Sequence, residues 1–527
     1  MTEARVTNAR PPLGLLLPAA AAALLVMAPL ATTLAQAAHA GIDHAAAVLL
    51  RPLVGRLLFN TLALVAASTV CAGALGTAAA YLLERTAVPG KRIWSLLVVA
   101  PLAVPAFIAS YAWVSLSPNL QDFGGALLVV TASYYPLVYL PVAATLRDMD
   151  PALEETARSL GCGPWACFGR AVLPRLRPAL FGGMLLVALN VLVEFGAFSL
   201  LRFRTFTTEI YAEYRTGFNG PEASLLALVL LAFCFAFLIL EIRIRGAARY
   251  ARVGAGTRRR ATPHGLGVAL WPVLFGLAAL VIATLGVPLG MIFFWLMQHA
   301  AAATSPIGVS VDLLARSAAA SLEFGAAAAV LTLALALPLG FLAARYQGWR
   351  ITFLERAAYL AQGTPAIVVA LALVSLTVHA LRPLYQSATA LIIAYAILFL
   401  PLALVSVRAV LMQTQPVLEE AGRSLGLGWM RVAVRVTLPL AGPGLGAAAA
   451  LVFVSVVTEL TATLLLAPIG TQTLATEVWA DTSTLAFAAA APYAALMVAI
   501  SLASTWLLAQ RFGASAVFAA ALPSYPQ

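Results

Sequence analysis

Two pairs of adjacent glutamates, Glu154–Glu155 and Glu419–Glu420, stand 265 positions apart in a chain with only 10% charged residues. Each pair sits in a run that repeats nearly as a unit. PALEETARSLGCGPWACFGRAVLPRLRP (151–178) and PVLEEAGRSLGLGWMRVAVRVTLPLAGP (416–443) agree at 13 of 28 positions without a gap. A further pair of carboxylates keeps the same offset inside apolar sequence, Glu194 in VLVEFGAFSLL and Glu459 in VVTELTATLLL. These two settings support different chemistry. In a polar loop, a glutamate with an arginine four residues on (Glu154 and Arg158, Glu419 and Arg423) steadies a short helix by about 0.2–0.5 kcal/mol and offers anionic contacts to a partner. Within apolar spans an ionisable side chain is costly and faces a cavity or a partner. Glu194 and Glu459 are therefore candidates to line a path that favours a cation. The alternative is a structural hydrogen bond to a neighbouring helix or loop end.

Bond-making chemistry has little to work with. A nucleotide-binding P-loop needs G-x-x-x-x-G-K-[ST], so that backbone N–H groups and a lysine can hold phosphates. The chain's single lysine, Lys91, sits in AVPGKRI, with Arg85 at the first glycine position and Arg92 at the Ser/Thr position. The chain is expected not to be an enzyme. His39, His44, His264, His299 and His379 are scattered, none at ligand spacing with another histidine, cysteine or carboxylate motif, so no fixed metal site is expected. Cys162 and Cys167 lie in the first repeated loop, but Leu427 and Val432 replace them in the second, which argues against a redox or metal role.

The elements that must position these residues are membrane helices. At 527 residues and 62% hydrophobic, the chain departs from soluble domains, which run near 25% charged. Apolar runs of 20 residues or more cross a hydrocarbon core of about 30 Å. Hydropathy gives twelve expected spans, near 13–35, 57–83, 93–116, 124–146, 179–201, 222–243, 268–297, 318–344, 356–378, 387–411, 444–467 and 485–510. The first is too long for a signal-peptide core and is read as a retained span. The net charge of +11 comes almost wholly from arginines in alternate loops, a pattern of membrane orientation and not of nucleic-acid binding. It places both termini in the cytoplasm.

The fold expected is thus an all-α polytopic membrane protein with about 12 transmembrane helices in two homologous six-helix halves. The first half covers residues 1–250, with its polar loop at 150–178. A basic cytoplasmic linker follows at 251–265, and the second half covers 266–527 with its loop at 415–443. Both polar loops then face the cytoplasm. Pro101, Pro105 and Pro365 are expected to break or kink helices.

Each loop reads as a short helix, a turn and a second helical stretch. Asp150 suits an N-cap, and Pro151 and Pro416 suit the first helical position. Leu153, Ala157 and Leu160 share a face, as do Leu418, Gly422 and Leu425. Gly161 with Gly163, and Gly426 with Gly428, end the helix and allow a sharp turn. Such a helix is too short and polar to span a bilayer and is shaped to enter a groove on another protein.

At this point the chain resembles a known family. The pattern E-x-A/G-x-x-x-G with L-P twelve residues later is similar to the EAA loop of the membrane permeases of binding-protein-dependent ABC importers. The matching residues are Glu155, Ala157, Gly161, Leu173 and Pro174, then Glu420, Ala421, Gly422, Gly426, Leu438 and Pro439. Thr156 replaces a preferred alanine, and Gly422 the second alanine of its copy. The resemblance implies a type I ABC permease fold in which each loop is a coupling helix seated on a cytoplasmic ATPase. Glu154, Glu155, Ala157 and Gly161, and Glu419, Glu420, Gly422 and Gly426, would then form the two coupling sites. It also implies a multi-pass protein of the bacterial inner membrane, two copies of a separate ATPase that uses the ATP, and an external substrate-binding protein. No cofactor in this chain and no nucleic-acid partner are expected. The fused architecture most resembles the ferric-iron permeases, with EFGAFSLLRFRTFTTEIYAEY (194–214) and ELTATLLLAPIGTQTLATEVW (459–479) carrying that likeness. Thiamine permeases share the architecture, and a carrier driven by an ion gradient is a rival of another class. That rival leaves the two matching loops unexplained.

Overall fold

The computed structural model describes residues 11–39, 41–150, 152–217, 219–247, 263–301 and 311–512. Its regular structure is helical, and among the described residues the extended pairing is limited to an isolated bridge between Thr86 and His264. Residues 251–262 of the expected linker, with the Arg258–Arg260 run, lie outside the described residues.

Among the described residues, ten helices are long and apolar enough to cross a membrane, and two bent pairs bring the number of candidate spans to as many as twelve. The helical form follows from the solvent: hydrocarbon supplies no partner for backbone N–H and C=O groups, so each span must satisfy its own. The spans expected at 93–116 and 356–378 are not straight. Lys91–Ala103 and Ala106–Leu116 meet at 94°, and Trp349–Gly363 and Ala366–His379 meet at 107°. The cause is local. Pro105 and Pro365 lack an N–H and force the preceding residue out of helical backbone, and Val104 and Thr364 adopt nearly identical extended angles (φ −102, ψ 113 and φ −102, ψ 114). Spans expected at 179–201 and 444–467 begin earlier, at Phe168 and Trp429, and stop at Val193 and Val457, just before the two lone carboxylates.

The halves exchange their first helices. Leu13–His39 packs on Val311–Arg345 and Ala366–His379 of the second half, where Ala19, Ala22 and Val26 join a core with Ala328, Leu339, Tyr359 and Val369. Small side chains let the backbones approach closely, which drives helix association in lipid. Reciprocally, the helix over Gly267–Gln298 sends Ile292 into a cluster with Phe107, Ile108 and Tyr111 of the first half and Tyr493 and Met497 of the last helix. Tyr111 also donates to the Phe487 carbonyl at 2.8 Å.

Candidate functional site

Both polar loops fold as the sequence predicts, as helices over Ala152–Ser159 and Pro416–Ser424. Asp150 caps the first through its Oδ1, 3.0 Å from the Ala152 N–H. Both end in the same left-handed turn: Gly161 and Gly426 each have φ +83. Gly161 N–H bonds Arg158 O at 2.9 Å and Cys162 N–H bonds Ala157 O at 3.0 Å. Gly426 to Arg423 and Leu427 to Gly422 repeat the pattern at 2.9 and 3.1 Å. This is the glycine-terminated cap that satisfies the orphan carbonyls of a helix end.

Within each glutamate pair the two side chains part ways. Glu154 and Glu419 are 5% and 3% exposed, against the expectation that they share the docking face. Each turns back toward an arginine that ends the long span before the broken helix. Arg345 Nη2 lies 2.9 Å and Nε 3.1 Å from Glu419 Oε1, and Arg85 Nε lies 3.5 Å from Glu154 Oε2. Arg158 and Arg423, four residues on, stand 3.2 and 3.6 Å from the same carboxylates. The physical reason is the helical step of 100° per residue: with the first glutamate turned to the bundle, the second must point away. Glu155 and Glu420 are accordingly exposed, beside Leu160 and Leu425 at 79% and 84% exposure. Ala157 is half-buried, and Gly422 is buried 3.3 Å (as a built Cβ) from Val432. Arg85 and Arg345 were missed in the sequence because they are offset by 260 positions and not 265, so an ungapped repeat does not align them. The available signal was a basic residue closing the equivalent long span in each half.

Glu194 and Glu459 sit where their spans stop. Glu194 Oε1 accepts the Ala197 N–H at 2.9 Å, and Glu459 Oε1 accepts the Ala462 N–H at 3.1 Å. Each carboxylate thereby caps the short helix that resumes the chain, Gly196–Leu200 or Thr461–Leu466. Carbonyls freed at the breaks are also satisfied: Thr207 Oγ1 donates to Glu194 O at 2.6 Å and Thr463 Oγ1 to Glu459 O at 2.7 Å. The breaks meet across the halves, since a Cβ on Gly196 would lie 2.8 Å from Phe107 and 3.0 Å from Leu460. Here the symmetry fails. Tyr134 donates to Glu194 Oε2 at 2.5 Å, whereas the equivalent residue of the second half is Phe399, which has no hydroxyl to give.

Aromatic rings also meet at the seam between the halves. Trp479 donates to Ser199 Oγ at 3.2 Å and meets Tyr211 edge-on at 6.0 Å, and Tyr211 in turn lies 4.8 Å from Phe195. Among the described residues, no group of three His, Cys, Asp or Glu side chains could hold a metal ion.

This arrangement matches known proteins. The family described as binding-protein-dependent transport system inner membrane component matches twice, over residues 72–244 and 336–511, once in each half. The Fe(3+)-transport system permease protein FbpB 2 of Haemophilus influenzae is 37% identical over 510 residues, covering 95% of this chain and 98% of that protein. The putative ferric transport system permease protein FbpB 1 of the same organism is 25% identical over 461 residues, covering 77% of this chain and 68% of that protein. The sulfate transport system permease protein CysT of Escherichia coli is 28% identical over 229 residues, covering 40% of this chain and 83% of its own length.

Proposed function

Since the chain belongs to the family of binding-protein-dependent transport system inner membrane components, we propose that it is the fused permease of an ATP-driven importer of ferric iron. The single observation that carries this reading is the pair of matching polar helices, each anchored by a buried glutamate and presenting a second glutamate and an exposed leucine outward. A symmetric pair of amphipathic docking elements calls for two copies of one partner, and an ATPase dimer supplies it. The surface is of the helix-in-groove type, with Leu160 and Leu425 as apolar anchors and Glu155 and Glu420 as polar contacts. The iron assignment is supported by the likeness to the Haemophilus influenzae ferric permease over nearly the whole chain.

In this reading the coupling helices and both termini face the cytoplasm, and the Tyr211–Trp479 seam faces the periplasm, where a substrate-binding protein delivers its cargo. ATP binding draws the ATPase subunits together and moves the two helices. Because Glu154 and Glu419 bind the span ends through Arg85 and Arg345, a displacement of either helix is carried into its bundle. The halves rock, the aromatic seam opens, and the cargo enters. This is alternating access between two pseudo-symmetric bundles. Glu194 and Glu459 flank the central breaks and give the path two carboxylate sites attractive to a cation. Their backbone caps hold the breaks in shape at the same time.

The test is uptake of radiolabelled ferric iron in a deletion strain and its complemented counterpart, with labelled thiamine alongside. Loss of iron uptake alone, restored by the gene, supports the proposal. Intact iron uptake with lost thiamine uptake reassigns the cargo. Uptake that continues after cellular ATP is depleted, with the ion gradient intact, would instead indicate a gradient-driven carrier.

A further inference from the structure

The two coupling helices are seated by different chemistry. In the second half the seat is made by residues of that half. Glu419 Oε1 receives Arg345 and the Thr437 hydroxyl at 3.2 Å, and Arg345 Nη2 also donates to the Thr414 hydroxyl at 2.7 Å and to its carbonyl at 3.2 Å. In the first half the residues equivalent to Thr437 and Thr414 are Val172 and Met149, which have no hydroxyl. The Arg85–Glu154 contact is longer, at 3.5 Å, and Arg85 Nε and Nη2 are buried without a hydrogen-bond partner among the described residues. A buried ion pair whose other donors and acceptors go unmet is costly.

Further contacts to this seat come from the segment that joins the halves. His264 N–H donates to Arg85 O at 2.9 Å, and Ala87 N–H donates to His264 O at 2.9 Å, which clamps the linker's end against the end of the first-half span. From that clamp the imidazole reaches the seat itself. Arg158 Nη1 lies 3.0 Å from His264 Nδ1, and His264 Nε2 lies 3.7 Å from Glu154 Oε1. A guanidinium can only donate, so Nδ1 is the acceptor and the ring proton sits on Nε2, facing the carboxylate. One side chain thus hydrogen-bonds the arginine that flanks the helix and stands beside the glutamate that anchors it.

We propose that His264 is a positioning residue for the first coupling helix, so that the linker is part of the coupling apparatus of one half only. Three residues beyond His264 the chain enters Gly267–Gln298, the helix that crosses onto the first half. The first coupling helix is thereby tied through His264 to the crossing helix as well as to its own bundle. The inference rests on the docking reading above.

The experiment places a photo-crosslinking residue at Leu160 or at Leu425 in the full chain and measures cross-linking to the ATPase subunit in the assembled complex. Replacing His264→Ala removes both side-chain contacts while the backbone clamp remains. Engagement at position 160 is expected to fall about ten- to hundredfold, the range for losing a hydrogen bond to a charged group, with position 425 unchanged. His264→Gln retains an acceptor and a donor in similar places and is expected to preserve engagement. Adding Val172→Thr to His264→Ala supplies the hydroxyl the second half uses and is expected to restore most of it. An unchanged cross-link at 160 in His264→Ala overturns the proposal, as does an equal fall at both positions, which would mark a general loss of structure. Absence of cross-links from both positions in the otherwise unaltered chain overturns the docking reading and the proposal with it.

Discussion

Arg345 meets Glu419 through two nitrogens at 2.9 and 3.1 Å, and both side chains are more than nine-tenths buried. Removing one member of such a pair strands the other charge without water. Glu419→Ala is expected to destabilise the protein by about 3–5 kcal/mol. Replacing both with apolar residues, Arg345→Met with Glu419→Leu, should cost clearly less. Thermal unfolding of the purified protein in one detergent compares the three variants, and equal losses in the single and double variants would refute the ion-pair account.

Gly161 and Gly426 should tolerate substitution in space but not in backbone. A Cβ on either meets nothing within 4 Å, yet φ +83 costs an ordinary L-residue about 1–2 kcal/mol. Gly161→Ala and Gly426→Ala are therefore expected to loosen the helix ends, and Gly161→Asn to be milder, since asparagine visits this region more readily. Proteolysis at the loops in membrane vesicles reads the difference. Equal cleavage of the alanine and native proteins would count against the turn as the constraint.

Glu155 and Glu420 carry the polar part of the proposed docking face. Reversing both charges, Glu155→Arg with Glu420→Arg, is expected to release the ATPase during co-purification while the permease itself stays folded. Full retention of the ATPase at moderate salt would move the docking contacts elsewhere on these helices.

Tyr134 makes the first central break chemically unlike the second. Tyr134→Phe reproduces the arrangement already present at Phe399 and removes one hydrogen bond to a carboxylate, a loss of about 1.5–3 kcal/mol if the site stays dry. The change should slow cargo uptake less than Glu194→Gln, because the carboxylate and its Ala197 cap survive. Initial uptake rates for the two variants, normalised to membrane content, check that order.

Much of this architecture is legible in the sequence because it is local. Hydropathy finds the spans, and the repeated polar run marks the two short loop helices with their glycine turns. Pro105 and Pro365 announce the breaks, although not that the spans turn through 94° and 107°, since the turn depends on what the resumed helix packs against. Partners contributed by distant segments were not legible. That Glu154 and Glu419 turn inward while their neighbours turn outward depends on Arg85 and Arg345, which lie 69 and 74 residues earlier and out of register with the repeat. Nothing in its composition assigns Leu13–His39 to the second half, because an alanine-rich apolar helix fits many faces.

That exchange limits how the halves can move. Pulling them straight apart would strip Ala19, Ala22 and Val26 from their seats and leave close-packing surfaces facing lipid chains. A chain cut once between residues 251 and 262 is expected to leave two fragments that still grip each other through the exchanged helices.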